Sequence, residues 1–352
     1  MEMPKTYRVG LVGCGRMGAT IDDEVKDRPN AQLYLPYSHA AAIVACERME
    51  LVAVSDPVAA KALAAQERYG AAHWYADYRE MIEKEALDVV SVATRPGPHA
   101  EIVVFAARSG VRGVYCEKPL CNAVREMDAM LEACSRAGVK FNYGTQRRYT
   151  ALYRNARRLL EAGEIGQVQA VLAHCGAGAA QWGLTHAADM ILFLAGDGEV
   201  EYAQGTVLAE EIDWEGDRLK IDARVTSGYV AFKNGVHAYL TASGGWEFEI
   251  SGTKGKLRTL SNGQGYTLRK ADEHGGFHPV EAPPVPMESG TLRGMEDLVR
   301  ALDEDGETQG PLGLACRSQE IIFAIAESHR QGGARVKLPL VNRNLAIAPD
   351  NY

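Results

Sequence analysis

Tyr7-Arg8-Val9-Gly10-Leu11-Val12 is a short apolar run that leads straight into Gly13-Cys14-Gly15-Arg16-Met17-Gly18. The pattern is a strand entering a G-x-G-x-x-G turn. In such a turn the first glycine permits a tight bend and the second lets a backbone approach a pyrophosphate. The third allows close packing of helix on strand. The helix N-terminus that follows offers free N–H groups and the positive end of its dipole to phosphates. Glycine-rich turns also occur without ligands, so context decides. Here the motif lies between a predicted strand and a predicted helix, and the reading is a dinucleotide-binding domain.

The residues that follow keep alternating strand with helix. Leu51 to Ser55 is a strand, and Val58 to Tyr69 has helical spacing closed by Gly70. Leu87 to Ala93 is a nearly continuous apolar run, as expected of a parallel strand covered on both faces. A helix from His99 to Ser109 is closed by Gly110, Val114 to Cys116 is a strand, and Asn122 caps a helix running to Gly138. This succession predicts a doubly wound parallel sheet.

After Tyr143-Gly144 the pattern changes. A helix around Arg154 to Leu160 ends at Gly163, a strand follows at Val168 to Ala173, and a short helix spans His186 to Leu194. Strands then succeed one another without helices, with turns at Asn234-Gly235 and Asn262-Gly263. That implies an antiparallel sheet with one helix-covered face, the other facing a second subunit or solvent. Helices near Leu292–Leu302 and Ser318–Arg330 and a strand at Val336 to Leu338 finish the chain. The expected organisation is a dinucleotide domain at 1–142 and an α+β domain at 143–352, with the final helix packing back on the first domain.

Composition narrows the partners. The 38 basic and 46 acidic residues give a net charge of −8 and are interspersed, so no electrostatic stripe for nucleic acid is expected. No apolar run approaches the ~20 residues of a membrane helix. Met1 to Lys5 lacks a signal-peptide core, so a cytoplasmic protein is expected. The seven cysteines are scattered without a C-x-x-C pair, which favours reduced thiols and argues against a metal site.

Asp56 ends the second strand, where a carboxylate can accept hydrogen bonds from ribose hydroxyls and repel a 2′-phosphate, favouring NAD over NADP. A turn aspartate before Pro57 is the alternative. Asp56 follows Gly18 by 38 positions, against about 20 in the usual fingerprint. The excess is an insertion, Ile21 to Ser38, carrying Asp22, Asp23, Glu24, Tyr34 and Tyr37: a substrate lid or a solvated loop. Two further loops leave the same sheet edge, Thr94-Arg95-Pro96-Gly97-Pro98-His99 and Glu117-Lys118-Pro119. Neighbouring side chains in an extended segment point opposite ways. Glu117 can therefore face the cofactor or the protein while Lys118 faces a substrate hydroxyl, whose proton a lysine can help remove.

These motifs, with Gly144 to Tyr149 (GTQRRY), Gly163-Glu164-Ile165-Gly166, Ser251-Gly252-Thr253-Lys254-Gly255 and Glu327-Ser328, resemble the Gfo/Idh/MocA family, named for glucose–fructose oxidoreductase and inositol dehydrogenase. The resemblance spans nearly the whole chain. It implies an N-terminal Rossmann doubly wound parallel sheet and a C-terminal α+β domain whose large, mainly antiparallel open-faced sheet joins a homodimer or homotetramer. It also implies a nicotinamide cofactor, NAD here, and a sugar, sugar derivative or cyclitol substrate.

Carried over residue by residue, the resemblance implies cofactor contacts from Gly13, Cys14, Gly15, Arg16, Met17, Gly18, Asp56, Thr94, Arg95, His99, Glu117, Lys118 and Gln146. Lys118 and His186 would be catalytic. Substrate contacts would come from Arg147, Arg148, Gln181, Trp182 and Asp189, although either arginine could instead pair within the fold. His186 and Asp189 share a helix face at a spacing of three. Thr185 reads as the N-cap, which sets His186 in the first turn, where the helix dipole disfavours imidazolium. A buried capping histidine is the alternative. The family's earlier aspartate is replaced by Trp182, whose ring can stack on a sugar. The leading expectation is NAD-dependent oxidation of a ring hydroxyl. The alternatives are a redox-neutral epimerase or lyase acting through a transient ketone, and a non-catalytic NAD-binding sensor.

Overall fold

The structure, a computed structural model, describes residues 5–350. Met1 to Pro4, part of the stretch read above for a leader, lie outside the described residues. The chain divides into two compact units. One takes residues up to Cys121, Glu126–Tyr149 and Glu288–Gly313; the other takes Asn122–Arg125, Thr150–Met287 and the residues from Leu314 onward.

The first unit is built on six parallel strands: β1 Tyr7–Val12, β2 Met49–Ser55, β3 His73–Tyr75, β4 Val89–Val92, β5 Gly113–Cys116 and β6 Lys140–Tyr143. Their order is β3-β2-β1-β4-β5-β6. All four residues of β4 and of β5 are buried, as parallel strands with helices on both faces require. The chain runs outward from β1 in both directions, so the switch point lies between β1 and β4. Ligands of such sheets bind there, beyond the carboxyl ends of the strands. The helix Gly290–Glu304 belongs to this unit, with Met295, Leu298 and Leu302 in one apolar cluster with Val9, Leu11 and Val54. Close approach explains Gly294, where a Cβ would come within 2.8 Å of the Tyr115 ring.

The second unit carries β7 Val168–His174, β8 Val200–Val207, β9 Trp214–Glu215, β10 Arg218–Leu219, β11 Val225–Phe232, β12 His237–Thr241, β13 Glu247–Gly252, β14 Gly255–Leu260, β15 Gly265–Ala271, β16 Phe277–Val280, β17 Val336–Lys337 and β18 Ala346–Ile347. Nine of them form a mixed, mostly antiparallel sheet in the order β16-β15-β14-β13-β7-β12-β11-β8-β17, in which β7 and β12 are the parallel pair. Asn234-Gly235 turns β11 into β12, and Ser261, Asn262 and Gly263 turn β14 into β15 through consecutive positive φ angles. Alternating burial along β12 and β14 marks one covered and one open face. The helix Leu312–Arg330 lies on the covered face, its Ile325 against Gly205 of β8 and Gly228 of β11. The expected fold class is therefore the observed one. All seven cysteines are buried thiols. Among the described residues no helix is long and apolar enough to cross a membrane.

Candidate functional site

The glycine turn leaves the carboxyl end of β1, and each glycine has its own reason. Gly13 takes φ +95°, a left-handed conformation that glycine adopts without a Cβ clash. Gly18 lies so close to the strand end that a Cβ would come within 1.9 Å of the Gly13 carbonyl oxygen. Gly15 is different. Its φ of −79° suits any residue, and a Cβ there would meet nothing within 4 Å. Neither backbone nor packing asks for glycine at that position.

Asp56, at the end of β2, is buried, and its carboxylate accepts the Cys14 N–H (3.0 Å) and the Val58 N–H (2.9 Å). It therefore clamps the glycine turn to the neighbouring strand end, and a second lone pair on each oxygen remains for a hydroxyl. Burial, helped by the Asp56 charge, pushes the Cys14 thiol up to about 12, so it stays protonated. Arg16, half-exposed, makes a two-pronged pair with Glu24 of the insertion. Met17 is half-buried beside it.

Two more loops meet at the ends of β4 and β5. His99 is wholly buried, with Nε2 at 3.1 Å from the Thr94 carbonyl and Nδ1 at 3.0 Å from the Pro119 carbonyl. Burial pushes its pKa down although the carbonyls pull it up. The ring thus bridges the loop that carries Thr94 and exposed Arg95 to the loop that carries Lys118. Lys118 is half-buried, and its N–H donates to Glu117 Oε2 (3.1 Å). Glu117 Oε1 in turn lies 3.3 Å from His39 Nε2, and His39 Nδ1 lies 2.8 Å from Ser91 Oγ.

Sequence reading did not single out His39 or Ser91. The available signal was Ser38, which caps the helix His39–Ala45 and so fixes the histidine in its first turn. Replacing His39 with Ala strips partners from a buried carboxylate and a buried hydroxyl. A loss of about 1–3 kcal/mol is expected in denaturant unfolding, with partial recovery in His39→Gln.

After β6 the chain carries Gln146, Arg147 and Arg148. Gln146 Nε2 donates to the Tyr37 hydroxyl (3.2 Å), which joins the insertion to this segment. The insertion is tied down as well: Asp22 accepts the N–H groups of Tyr37 and Ser38, both at 2.9 Å, and Arg68 pairs with Asp23. Arg148 is fully buried and donates to the Gln309 carbonyl at 2.7 Å, an interaction within the fold.

In the second unit the helix Thr185–Leu194 has no side-chain cap, which corrects the expected role of Thr185. Thr185 Oγ1 donates backwards to the Gln181 carbonyl at 3.0 Å, because its residue already lies inside the helix. His186 sits in the first turn, half-buried, with the Trp246 ring edge-on at 6.3 Å. Trp246 takes φ +51° directly after Gly245; the Gly-Gly pair before it was the only local hint of its placement. Gln181 is fully buried, with Oε1 accepting from Gln319 (2.6 Å) and Nε2 donating to the Ile347 carbonyl (3.0 Å). One lone pair and one N–H of its amide are thus used within the fold. Trp182 is 44% exposed. Asp222 accepts the N–H groups of Gln181 (2.7 Å) and Trp182 (2.9 Å), which brings a carboxylate from a distant segment to this turn. Asp189 is fully buried.

Residues 7–145 match the model of an oxidoreductase family with an NAD-binding Rossmann fold, Gfo/Idh/MocA. The chain is 29% identical over 166 residues to scyllo-inositol 2-dehydrogenase (NAD(+)) of Bacillus subtilis, across 47% of this chain and 43% of that protein. It is 27% identical over 290 residues to myo-inositol 2-dehydrogenase of Thermotoga maritima, across 76% of this chain and 79% of that protein. The match thus spans less than half of the first relative's length and most of the second's. Levoglucosan dehydrogenase in complex with NADH has the same fold, with a TM-score of 0.77 and 21% identity over 96% of this chain and all of that one. Aldose-aldose oxidoreductase of Caulobacter crescentus, complexed with glycerol, gives 0.74 and 21% over 95% of this chain and all of that one. With its glycine turn at the end of β1 and its order of strands, the domain at residues 7–145 belongs to the Gfo/Idh/MocA oxidoreductase family.

Proposed function

We propose that this chain is an NAD-dependent oxidoreductase that removes hydride from a ring carbon bearing a hydroxyl, on a sugar, sugar derivative or cyclitol. The observation that carries the reading is Gly15. In a turn whose other two glycines answer to backbone or packing, it alone faces open space, as close approach of a pyrophosphate requires. Inositol dehydrogenases among the relatives support the substrate class. Bound nicotinamide supplies the hydride acceptor; the protein supplies position and charge. The glycine turn holds the pyrophosphate on its N–H groups, and Asp56 takes the ribose. Lys118, as the neutral amine, takes up the hydroxyl proton. The redox-neutral and non-catalytic alternatives draw no support from the relatives named above.

The test is reduction of NAD in the presence of inositols and aldoses, run in parallel with NADP. Asp56 favours NAD because a carboxylate repels a 2′-phosphate. In Asp56→Ser, which keeps a short acceptor for the turn, NAD affinity is expected to fall about tenfold while NADP gains. Equal preference in the wild type would remove Asp56 from this role. The same reading makes the protein a cytoplasmic homodimer or homotetramer joined through the open sheet face. There Tyr229 lies 5.3 Å from Tyr239 and 5.8 Å from His237, ring to ring. Sedimentation of wild type and Tyr239→Glu tests it.

A further inference from the structure

The insertion Ile21–Ser38 delivers one side chain whose bonding is incomplete. Its end is held from several sides: Asp22 fixes the N–H groups of Tyr37 and Ser38, Ser38 caps the next helix, and Ser289 Oγ donates to the Pro36 carbonyl. Tyr37 thereby reaches Gln146, 109 positions away, and its hydroxyl oxygen accepts the Gln146 amide N–H. A phenol also has a proton to give, and among the described residues no acceptor takes it. Gln146 Oε1 is buried without a hydrogen-bond partner, in a side chain from a residue only 8% exposed. Buried polar atoms are ordinarily paired, and leaving one unpaired costs about 1–3 kcal/mol. A linked donor and acceptor, both unfilled, match one chemical group that donates once and accepts once: a hydroxyl.

We propose that Tyr37 and Gln146 form a hydroxyl subsite that sets which ring polyol or sugar this enzyme accepts, with Tyr37 donating to the substrate oxygen and Gln146 Oε1 accepting its proton. The subsite rests on the dehydrogenase reading and gives it a specificity residue. Burial pushes the Tyr37 phenol up and Glu117 adds to this, while Arg147 opposes, so the group remains a donor at neutral pH. Two positions on, His39 meets Glu117 at 3.3 Å, which sets this end of the insertion beside the Glu117-Lys118 loop. The end of the insertion that carries Tyr37 is thus fixed in place, while its middle, Lys26 to Pro29, is exposed to solvent.

The experiment compares wild type with Tyr37→Phe, which removes one oxygen and keeps the ring. Substrates are myo-inositol, D-glucose and their monodeoxy derivatives. On the parent compounds kcat/KM is expected to fall about 10- to 100-fold, at unchanged NAD affinity and melting temperature. On one monodeoxy derivative the two proteins should become equal, because the partner hydroxyl is gone from both. An unchanged kcat/KM, or a loss of the same size on every derivative, would overturn the subsite. If wild type reduces no NAD with any of these, the dehydrogenase reading fails separately. Titration of myo-inositol into NADH-saturated protein then decides the subsite: weaker binding by Tyr37→Phe sustains it, and equal or absent binding in both proteins overturns it.

Discussion

Lys118→Met is expected to lower kcat by between about 10² and 10⁴, the range in which positioned proton transfer contributes to turnover. Methionine keeps the length and apolar body of the side chain but carries neither charge nor exchangeable proton. The backbone contact that sets this position, from the Lys118 N–H to Glu117 Oε2, does not depend on the side chain. Folding and NAD affinity should therefore change little, with the loss concentrated in kcat. Steady-state kinetics with calorimetric NAD binding on the same preparation separates the two. A variant with wild-type kcat would exclude Lys118 from the proton's path.

Gly18→Ala should have the largest effect on the fold of the first unit. The added Cβ would stand 1.9 Å from the Gly13 carbonyl oxygen and 2.9 Å from its carbon. Both are backbone atoms, so no rotamer change relieves the clash, and the helix start must move off β1. A loss of about 3 kcal/mol or more is expected, together with loss of dinucleotide binding, read as a lowered first melting transition. Gly15→Ala provides the contrast. It adds the same methyl group to open space, so its melting temperature should match wild type. An unaltered melting temperature in Gly18→Ala would show that the turn is looser than its geometry implies.

The glycine turn was legible because two of its glycines answer to local needs, a positive φ at Gly13 and close packing at Gly18. The β-hairpin at Asn234-Gly235 was legible for a similar local reason, since a positive φ is needed there. Partners remote in sequence were not. Nothing near His39 announces Glu117, 78 positions on, and nothing near Gln181 announces Gln319 or Ile347. Gln181 was read toward a ligand because its motif neighbours suggest one, and its amide also meets these two remote partners. Arg148 turns inward to the Gln309 carbonyl, 161 positions away, which nothing beside it announces. Thr185 has the residue type of a cap but lies one position too late to act as one. The helix Gly290–Glu304 has an ordinary amphipathic pattern, which says that it packs without saying on what.

The most direct measurement is a calorimetric titration of NAD into wild type and into Gly15→Ala at matched melting temperature. Saturable binding by the native chain, weakened at least tenfold by a single methyl group that touches no protein atom, is the outcome required of a pyrophosphate cradle. Equal affinity in both proteins, or no affinity in the native one, would contradict the assignment of this turn and the chemistry built on it.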